Sequence, residues 1–267
     1  MVEGARGIQS VEVSGRILRA LARSARPMML KDLAEDADLK PAQCHAYLTS
    51  LKNVGFVRQD WATGLYSAGP FALRLGVSWL NGNPQTAAAK LELKVLAEDF
   101  GVMALIVVWS SFGPSIAHTY AGWTQASLNL RQGSIFSVTG SANGRLFAAF
   151  GGAPEIAPMI EAELSRKAQK AGIGEDVETE DFPERIGEIR AQGYSVAEGR
   201  PIPGVNAVSV PIFAPTGELA FVASLIGSAA NLPVGRDAPA VLRMLQLGRT
   251  LSATAADPGT RQKESAE

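Results

Sequence analysis

The sequence predicts an α+β protein with two parts, an N-terminal winged helix-turn-helix and a larger domain in which helices pack on an antiparallel sheet. Two observations support this fold class. Residues 28–69 contain two helical patterns separated by a turn, followed by two strand-like runs around a tight turn. Beyond residue 101, strand patterns are followed by helical patterns and then by further strands with hairpin-length connections.

In the first part, a helix is predicted over residues 11–24, with apolar residues on one face and arginines on another. Leucine and alanine repeat at helical spacing over residues 30–37. Pro41 opens the next helix, because proline suits the first helical position, and the apolar stripe of that helix ends before Gly55. This order of helices is that of a helix-turn-helix.

A hairpin and an apolar segment complete the first part. The strand-like residues 55–60 and 65–68 flank a turn in which Gly64 is free to adopt a positive φ, so a wing is expected here. Residues 71–80 are too apolar for a solvated linker. We therefore expect them to form a helix that packs against a partner chain.

The second part is predicted as a mixture of helices and strands. Expected helices cover residues 86–100, 144–150, 156–169, 182–191 and 238–255, and expected strands cover residues 102–110, 115–120, 194–197, 207–213 and 218–226. The predicted boundaries are 1–70 for the winged helix-turn-helix, 71–83 for a linker or dimerisation helix, 84–255 for the second domain and 256–267 for a flexible tail.

The composition is that of a globular protein. The chain has 267 residues, of which 46% are hydrophobic and 19% are charged, so disorder along its whole length is not expected. The first ten residues lack the apolar stretch of a signal peptide, and the single cysteine, Cys44, cannot form an internal disulfide. No apolar run approaches the roughly 18 residues that span a bilayer. We therefore expect a cytoplasmic protein that makes no contact with a membrane.

Charge is unevenly divided along the chain, although the formal net charge is only −1. Residues 1–80 hold ten Lys or Arg and seven Asp or Glu, an excess of three positive charges. The remaining residues hold 15 basic and 19 acidic side chains, an excess of four negative charges. This weak asymmetry favours phosphate binding by the first part alone.

A winged helix-turn-helix is typical of DNA binding, with the second helix of the motif in the major groove. We expect residues 40–54 to lie there, with Gln43 and His45 at base edges, since glutamine can bond adenine twice and histidine can donate to a guanine acceptor. The competing interpretation leaves Gln43 in solvent and packs His45 against the first helix. Trp61, at the wing tip, is expected either at the minor groove or packed within the hairpin.

The candidate DNA-contacting residues combine these side chains with others that suit phosphates. Lys40, Thr49, Lys52 and Arg58 would position the protein without reading the base sequence. The full candidate set is Lys40, Ala42, Gln43, His45, Ala46, Thr49, Lys52, Arg58 and Trp61.

Other chemistries find little support in the sequence. Cys44 lies on the apolar stripe of its helix, which favours core packing over a redox role. His45 and His118 fall in different predicted domains and no Cys/His cluster has ligand spacing, so no metal or other cofactor is expected. Ser224, Ser209 and Ser195 are imaginable nucleophiles, but they lack a Gly-x-Ser-x-Gly elbow and have only His118 as a local base, so we do not expect an enzyme.

From about Ser10 to Ala255 the chain resembles bacterial transcriptional regulators of the IclR type. Three segments support the resemblance: the winged helix-turn-helix, the segment RQGSIFSVTGSANGRLFAAF and the segment GYSVAEGRPIPGVNAVSVPIFAPTGELAFVASLIGS. The resemblance implies a winged helix-turn-helix joined by a helix to a GAF/PAS-like effector-binding domain. It also implies binding to an operator in double-stranded DNA under the control of a small-molecule effector.

The chain departs from the family pattern at several positions. Ser137-Val138-Thr139 replaces the usual Pro-Leu-His, and Ser141-Ala142 replaces Thr-Ala before a Gly-Lys step that is Gly144-Arg145 here. Ala197-Glu198-Gly199 replaces paired acids, and Ala46 stands where a basic residue is frequent. The fold prediction survives these changes, but the effector and base preferences of relatives do not carry over.

The second domain is expected to hold a small molecule in the cavity that the resemblance implies. Large aromatic side chains cluster in its first strands and loop, namely Trp109, Phe112, Tyr120, Trp123 and Phe136. The competing interpretation of these rings is ordinary core.

Polar candidates for the effector lie at a helix start and on strands. The helix that begins near Ser141, Ala142 and Asn143 offers free backbone N–H groups to a carboxylate, which Arg131 could supplement. Asn206 and Ser224 could bond the far end of the ligand. Ile226 stands where relatives often have serine, so an aromatic or otherwise hydrophobic carboxylate is favoured.

The expected assembly is a homodimer or homotetramer on a pseudopalindromic operator, with recognition helices one or more helical turns apart, roughly 34–36 Å per turn. The effector would change that spacing through residues 71–80, and repression is favoured over activation. Two rival functions remain. One is a ligand-binding regulator whose helix-turn-helix mainly contacts protein, and the other is an enzyme acting on small aromatic esters or amides with a vestigial DNA module.

Overall fold

The computed structural model describes residues 7–24, 26–122, 130–171 and 182–254. Contacts within the chain divide it after Gly82 into two units. Across the described ranges, no helix is both long enough and apolar enough to cross a membrane.

The first unit is a winged helix-turn-helix, as predicted. Its elements are α1 (Gln9–Ser24), α2 (Leu30–Asp36), α3 (Pro41–Asn53), β1 (Val57–Gln59), β2 (Tyr66–Ala68) and α4 (Pro70–Gly82). The strands β1 and β2 pair antiparallel and form the wing. Ile17 of α1, Leu33 of α2 and Leu48 of α3 are fully buried in one cluster. The helical spacing of apolar residues therefore folds three helices around a common core.

The turn between α2 and α3 is tied to α1. Asp38 adopts a left-handed conformation with φ 52°, which aspartate tolerates better than most residues. Arg16 Nη1 donates to the Asp38 carbonyl oxygen at 3.3 Å and lies 3.6 Å from the Asp38 carboxylate. These contacts join α1 to the turn from which α3 starts.

α4 presents an exposed apolar surface. No residue of this helix is buried. Its large apolar residues, Phe71, Leu73, Leu75, Val77 and Trp79, are all between 41% and 69% exposed. An uncovered apolar face of this kind is typical of a protein contact surface.

The second unit contains α5 (Pro84–Phe100), β3 (Met103–Ser110), β4 (Gly113–Tyr120), α6 (Ala142–Phe150), α7 (Ile156–Ala171), α8 (Phe182–Gln192), β5 (Ser195–Glu198), β6 (Val205–Phe213), β7 (Leu219–Ser228) and α9 (Pro239–Thr254). The strands form one antiparallel sheet in the order β4-β3-β7-β6-β5. The predicted α+β class and antiparallel sheet are confirmed.

Different helices cover the two faces of this sheet. On one face, α5 and α9 pack over a cluster that includes Ile106 and Phe221. On the other, α6 and α8 pack over a cluster that includes Leu105 and Val222. Successive side chains of a strand point to opposite faces, so each strand contributes to both clusters. We call these surfaces the α5/α9 face and the α6 face.

Two helices of the second unit begin two residues earlier than predicted, because each has an N-cap residue in the preceding loop. Asn83 Oδ1 accepts hydrogen bonds from the amides of Gln85 and Thr86, so α5 starts at Pro84. Ser141 Oγ accepts from the amide of Gly144 at 2.9 Å, so α6 starts at Ala142.

Candidate functional sites

α3 presents a continuous exposed row on the side opposite the core. Cys44, Leu48 and Leu51 are buried and Tyr47 packs half-buried on the same core, which leaves the other side of the helix exposed. The exposed candidates on this helix are Ala42, Gln43, His45, Ala46 and Thr49. The interpretation in which His45 packs against the first helix is therefore wrong, and both side chains predicted at base edges are free to reach a groove.

The wing is joined to α3 by a side-chain hydrogen bond. Lys52 Nζ donates to Gln59 Oε1 at 3.0 Å and lies 6.0 Å from the centroid of the Tyr66 ring. Arg58 Nε donates to Ser67 Oγ at 3.0 Å across the hairpin. Both cations keep further N–H donors for a phosphate, because lysine has three donors and arginine has five.

The two other candidates for phosphate contact differ in what they can offer. Thr49 Oγ1 donates to the His45 carbonyl oxygen at 3.0 Å, which uses its only donor inside the helix. Lys40 is exposed at the N-cap of α3, where Pro41 follows as the first helical residue. Lys40 is therefore better placed than Thr49 to donate to a phosphate.

The wing tip holds Trp61 out in solvent. Its side chain is 94% exposed, which excludes a packing role within the hairpin. The Asp60 carboxylate orders the turn by accepting hydrogen bonds from the amides of Ala62 and Thr63 and from Thr63 Oγ1, at 2.8–3.1 Å. These bonds, with those from Thr63 the strongest cause, lower the pKa of Asp60 below its ordinary value. The tip is thus an ordered turn with an exposed indole.

Cys44 is a core residue. It is 0% exposed within the cluster of the first unit, and burial raises the pKa of its thiol. A protonated buried thiol is a poor nucleophile and a poor metal ligand. Throughout the part of the chain that the structure describes, no group of three or more His, Cys, Asp or Glu side chains could hold a metal ion.

In the second unit, a buried polar chain crosses the α6 face. Ser209 Oγ of β6 donates to Asn143 Oδ1 of α6 at 3.1 Å and lies 2.9 Å from Ser224 Oγ of β7. Both serines are 0% exposed and Asn143 is 2% exposed. The structure therefore brings the predicted residues Asn143 and Ser224 together, through a third residue that was not in the predicted set.

The first turn of α6 has two buried amides for which the described part of the chain provides no partner. Ser141 satisfies the amides of Gly144 and Arg145, through its side chain and its carbonyl oxygen respectively. Among the described residues, the amides of Ala142 and Asn143 have no hydrogen-bond acceptor, although both residues are only 2% exposed. Unpaired buried amides are costly, and at a helix N-terminus they favour an anion.

Trp109 lies at the end of β3 on the same face. Its ring is 5.4 Å from the ring of Phe147 on α6, at an interplanar angle of 50°. Its indole Nε1 is buried and has no hydrogen-bond partner among the described residues. An acceptor on a ligand would satisfy this donor.

Tyr120 and Asn206 do not face this site, contrary to prediction. A bulge in β4 after Ile116 shifts the pairing so that Tyr120 lies opposite Ala104, on the α5/α9 face. Without the extra residue, Tyr120 would lie opposite Met103 on the α6 face. Asn206 also points to the α5/α9 face, where it accepts from the Gly199 amide and donates to the Leu232 carbonyl oxygen.

The remaining effector candidates lie elsewhere or outside the described residues. Phe112, with Phe136, lines a surface cleft of about 300 Å³ against α7. Arg131 is exposed in the loop, and its amide donates to Ser134 Oγ. Trp123 lies outside the described residues. The expectation that the aromatic residues surround one cavity is thus wrong for Tyr120, and Trp109 is not among the residues that line the cleft at Phe112 and Phe136.

The structure separates the histidine from the serines for which the enzyme hypothesis needs it as a base. The β4 bulge places His118 opposite Ile106, on the α5/α9 face, whereas Ser209 and Ser224 point to the α6 face. Burial, and secondly the charge of Lys90, lower the pKa of His118. A histidine on the other side of the sheet cannot take a proton from either serine.

Sequence reasoning missed two contributors to the α6 region. Ser209 was considered only as a candidate nucleophile and not as an effector contact. Glu163 of α7 accepts hydrogen bonds from residues 137–139, in the loop that leads into α6. The only signal for it was the pair of hydroxyl residues Ser137 and Thr139, which gave no indication of their partner.

Two family profiles match the chain. The profile described as the IclR helix-turn-helix domain matches residues 10–60. The profile described as the C-terminal region of the bacterial transcriptional regulator IclR matches residues 115–252.

Individual proteins are similar over most of the chain. The glycerol operon regulatory protein of Streptomyces coelicolor is 29% identical over 209 residues, 78% of this chain and 80% of that protein. The crystal structure of Pseudomonas aeruginosa HmgR is 30% identical, covers 95% of this chain and 100% of its own, and superposes with a TM-score of 0.57. The structure of an IclR homolog complexed with 4-hydroxybenzoate, from Microbacterium hydrocarbonoxydans, is 14% identical with coverages of 92% and 98% and a TM-score of 0.68, a likeness of fold alone.

Proposed function

This chain belongs to the IclR family of bacterial transcriptional regulators, and from that premise we propose that it represses its target genes in the cytoplasm until a small aromatic carboxylate lowers its affinity for the operator. The observation that carries the effector proposal is the α6 face. There two amides without a partner among the described residues and a buried polar chain lie at the first turn of α6, and the unpaired indole N–H of Trp109 belongs to a ring that packs on Phe147, one turn further along the helix. Such groups suit a ligand with a carboxylate at one end and an aromatic ring.

The proposed pose assigns a role to each side chain. The amides of Ala142 and Asn143 bind the carboxylate, and Phe147 and Trp109 contact the ring. Ser224 bonds a polar substituent on the ligand. Support comes also from the homolog of the same fold that was crystallised with 4-hydroxybenzoate. Because Asn143 and Ser224 are buried, α6 must shift to admit the ligand, and that movement is the proposed signal.

We propose a homodimer, or a dimer of dimers, as the DNA-bound form. The exposed apolar face of α4 supports this, since covering it with the same face of a second copy would remove five large apolar side chains from water. The effector signal reaches the DNA-binding unit through this helix. A coupling of 5–150-fold in operator affinity is typical.

The first test identifies the operator. The purified protein is incubated with sheared DNA from its source genome, and the bound fragments are sequenced at low and high salt. Enrichment of a few promoters that share an inverted repeat supports the proposal. Binding that is absent, or that does not respond to salt, would favour the rival in which the helix-turn-helix contacts protein, since contact with phosphates makes DNA binding salt-dependent.

The base-reading role of α3 is tested with Gln43→Ala. Because a bidentate contact with a base distinguishes the correct base by about 1–3 kcal/mol, we expect Gln43→Ala to lose most of its affinity for the operator and little for random DNA. The matched control is Lys40→Ala, which should weaken both complexes equally and reduce their salt dependence. Binding is measured by fluorescence anisotropy. Equal losses on the two DNAs for Gln43→Ala would refute base reading.

The effector class is tested by calorimetry with 4-hydroxybenzoate, benzoate and the neutral analogue benzamide. Binding of the two carboxylates, together with a lower operator affinity in their presence, supports the proposal. Binding of benzamide as strongly as benzoate would refute a carboxylate site at α6.

A further inference from the structure

One carboxylate of α7 is bound by a single short loop. Glu163 Oε2 accepts hydrogen bonds from Ser137 Oγ, the Thr139 amide and Thr139 Oγ1 at 2.6–2.9 Å, and Oε1 accepts from the Val138 amide at 2.9 Å. Hydrogen bonds to an ionised group are roughly twice as strong as neutral ones. The Glu163 carboxylate therefore connects α7 firmly to residues 137–139.

The hydrogen-bond donors of this loop stabilise the negative charge of Glu163. Within the described residues Glu163 forms no ion pair, and Arg166, one turn further along α7, donates to the Ala162 carbonyl oxygen instead. Glu161 lies two residues before Glu163 on the same helix and is exposed. The four donors of the loop thus serve one carboxylate only, and Glu161 provides a matched surface acid.

Further hydrogen bonds connect this loop to the first turn of α6. Ser137 Oγ, which donates to Glu163, accepts from the Gly140 amide at 2.8 Å. Ser141 Oγ donates to the Ser137 carbonyl oxygen at 2.7 Å and accepts from the Gly144 amide at 2.9 Å. Gly144 packs so closely on the loop that an added Cβ would collide with the Ser137 carbonyl oxygen and the Val138 backbone.

We propose that Glu163 is a positioning residue for effector binding: it fixes the loop at residues 137–141 so that the free amides of Ala142 and Asn143 point at the ligand's carboxylate. This inference rests on the proposed function, because those two amides are the proposed carboxylate site. Glu163 does not contact the ligand. It preorganises the site: amides that are held in place before binding need not be ordered by the ligand, which preserves binding free energy.

The test compares full-length wild-type protein, Glu163→Gln and Glu161→Gln. The glutamine amide replaces an acceptor with a donor, which opposes the donors of the loop. We expect Glu163→Gln to bind 4-hydroxybenzoate about tenfold more weakly. This is the loss expected when one displaced amide no longer donates a hydrogen bond to the ligand's carboxylate. Hydrogen exchange at the amides of residues 138–144 should become faster. Glu161→Gln should leave both properties unchanged.

A neutral ligand separates positioning from general damage to the fold. Affinity for 4-hydroxybenzyl alcohol, which lacks the carboxylate, should change little in Glu163→Gln, so the preference for the carboxylate falls. Loss of both affinities in parallel, or unchanged exchange at residues 138–144, would overturn the proposal. If Glu163→Gln fails to fold, Thr139→Val takes its place, because it removes one of the four donors and keeps the shape of the side chain.

The outcomes also separate this proposal from the effector class itself. Wild-type protein that binds none of the carboxylates would overturn the proposed effector class and, with it, the ligand-positioning role. Wild-type protein that binds 4-hydroxybenzoate while Glu163→Gln binds it equally well would overturn the role of Glu163 alone.

Discussion

The two faces of the five-stranded sheet are made by the same strands but bury different groups. On the α5/α9 face, β7 contributes Phe221 and Leu225, both 0% exposed, to an apolar cluster under two long helices. On the α6 face, the same strand contributes Ser224, which is equally buried but is hydrogen-bonded to Ser209 and through it connected to Asn143. The α5/α9 face is mainly apolar, and its buried Asn206 lies near the start of β6, whereas the α6 face has a buried polar chain on two neighbouring inner strands.

The apolar and polar groups buried on the two faces make different contributions to the domain. Apolar side chains gain free energy by burial, about 25 cal/mol per Å² of apolar surface, with no requirement for direction. A buried hydroxyl or amide contributes little net stability, and leaving one unpaired costs about 1–3 kcal/mol. Apolar burial therefore stabilises both faces, and the α6 face additionally holds directional polar groups, to which the proposed function assigns the ligand.

The largest effect is expected on the apolar face. Phe221→Ala should reduce the free energy of unfolding by about 3–5 kcal/mol, because it removes a fully buried ring and leaves a cavity. Urea unfolding of the full-length protein, followed by circular dichroism, measures the change. A loss below about 1 kcal/mol would show that this face is not the main source of stability.

A smaller loss of stability but a larger loss of function is expected on the α6 face. Ser209→Ala removes the hydroxyl that joins Asn143 to Ser224, and should cost about 1–3 kcal/mol of unfolding free energy, since it leaves buried polar atoms unpaired. Affinity for 4-hydroxybenzoate should fall as well. Ser111→Ala, at an exposed position in the turn after β3, is the control. Unchanged ligand affinity in Ser209→Ala would count against a ligand role for the polar chain.

The loop beside the α6 face should make stability depend on pH. Burial raises the pKa of Glu163, but hydrogen bonds from Ser137, Thr139 and Val138 outweigh it and hold the pKa below its ordinary value. Because the folded pKa is below the unfolded value of about 4.3, the stabilisation is complete above that pH and is lost as the pH falls through the folded value.

Unfolding free energies at about pH 6 and about pH 3.5 test this dependence. The difference between wild-type protein and Glu163→Gln should shrink at the lower pH, whereas the difference for Glu161→Gln should stay near zero. A difference for Glu163→Gln that does not vary with pH would contradict an ionised Glu163 in the folded protein.

The smallest change in stability is expected for Trp109→Phe. The substitution removes a buried N–H that has no acceptor among the described residues and keeps an aromatic ring against Phe147. Unfolding free energy should change by less than about 0.5 kcal/mol, while the affinity for 4-hydroxybenzoate should fall about fivefold if the ligand accepts from this N–H. Urea unfolding measures the free energy of unfolding, and calorimetry measures the affinity for 4-hydroxybenzoate. Unchanged affinity would remove the indole from the proposed site.

Much of the fold was predictable because its signals are local. Helical spacing of apolar residues marked α1, α2 and α3, and Pro41 and Gly64 marked a helix start and a turn through their own backbone preferences. The exposed row on α3 follows from the same periodicity, since the burial of Cys44, Leu48 and Leu51 leaves the opposite side of the helix exposed. A surface site on one helix is therefore visible in a short window of sequence.

The α6 face was predictable only in part, because it depends on register between distant strands. Asn143 and Ser224 were identified one at a time, but their connection through Ser209 needs β6, β7 and α6 to meet. One bulged residue in β4 moved Tyr120 and His118 to the other face, and alternation along the sequence does not reveal it.

The order of the elements, the fold class and the exposed row on α3 can be inferred from the amino-acid sequence, since each depends on side chains a few positions apart. The face that each strand residue joins, and the binding of residues 137–139 by Glu163 across 24 to 26 positions of chain, emerge only once the chain has folded. Backbone preferences and amphipathic periods act over a few residues. Hydrogen bonds between elements depend on where the whole chain has brought their partners.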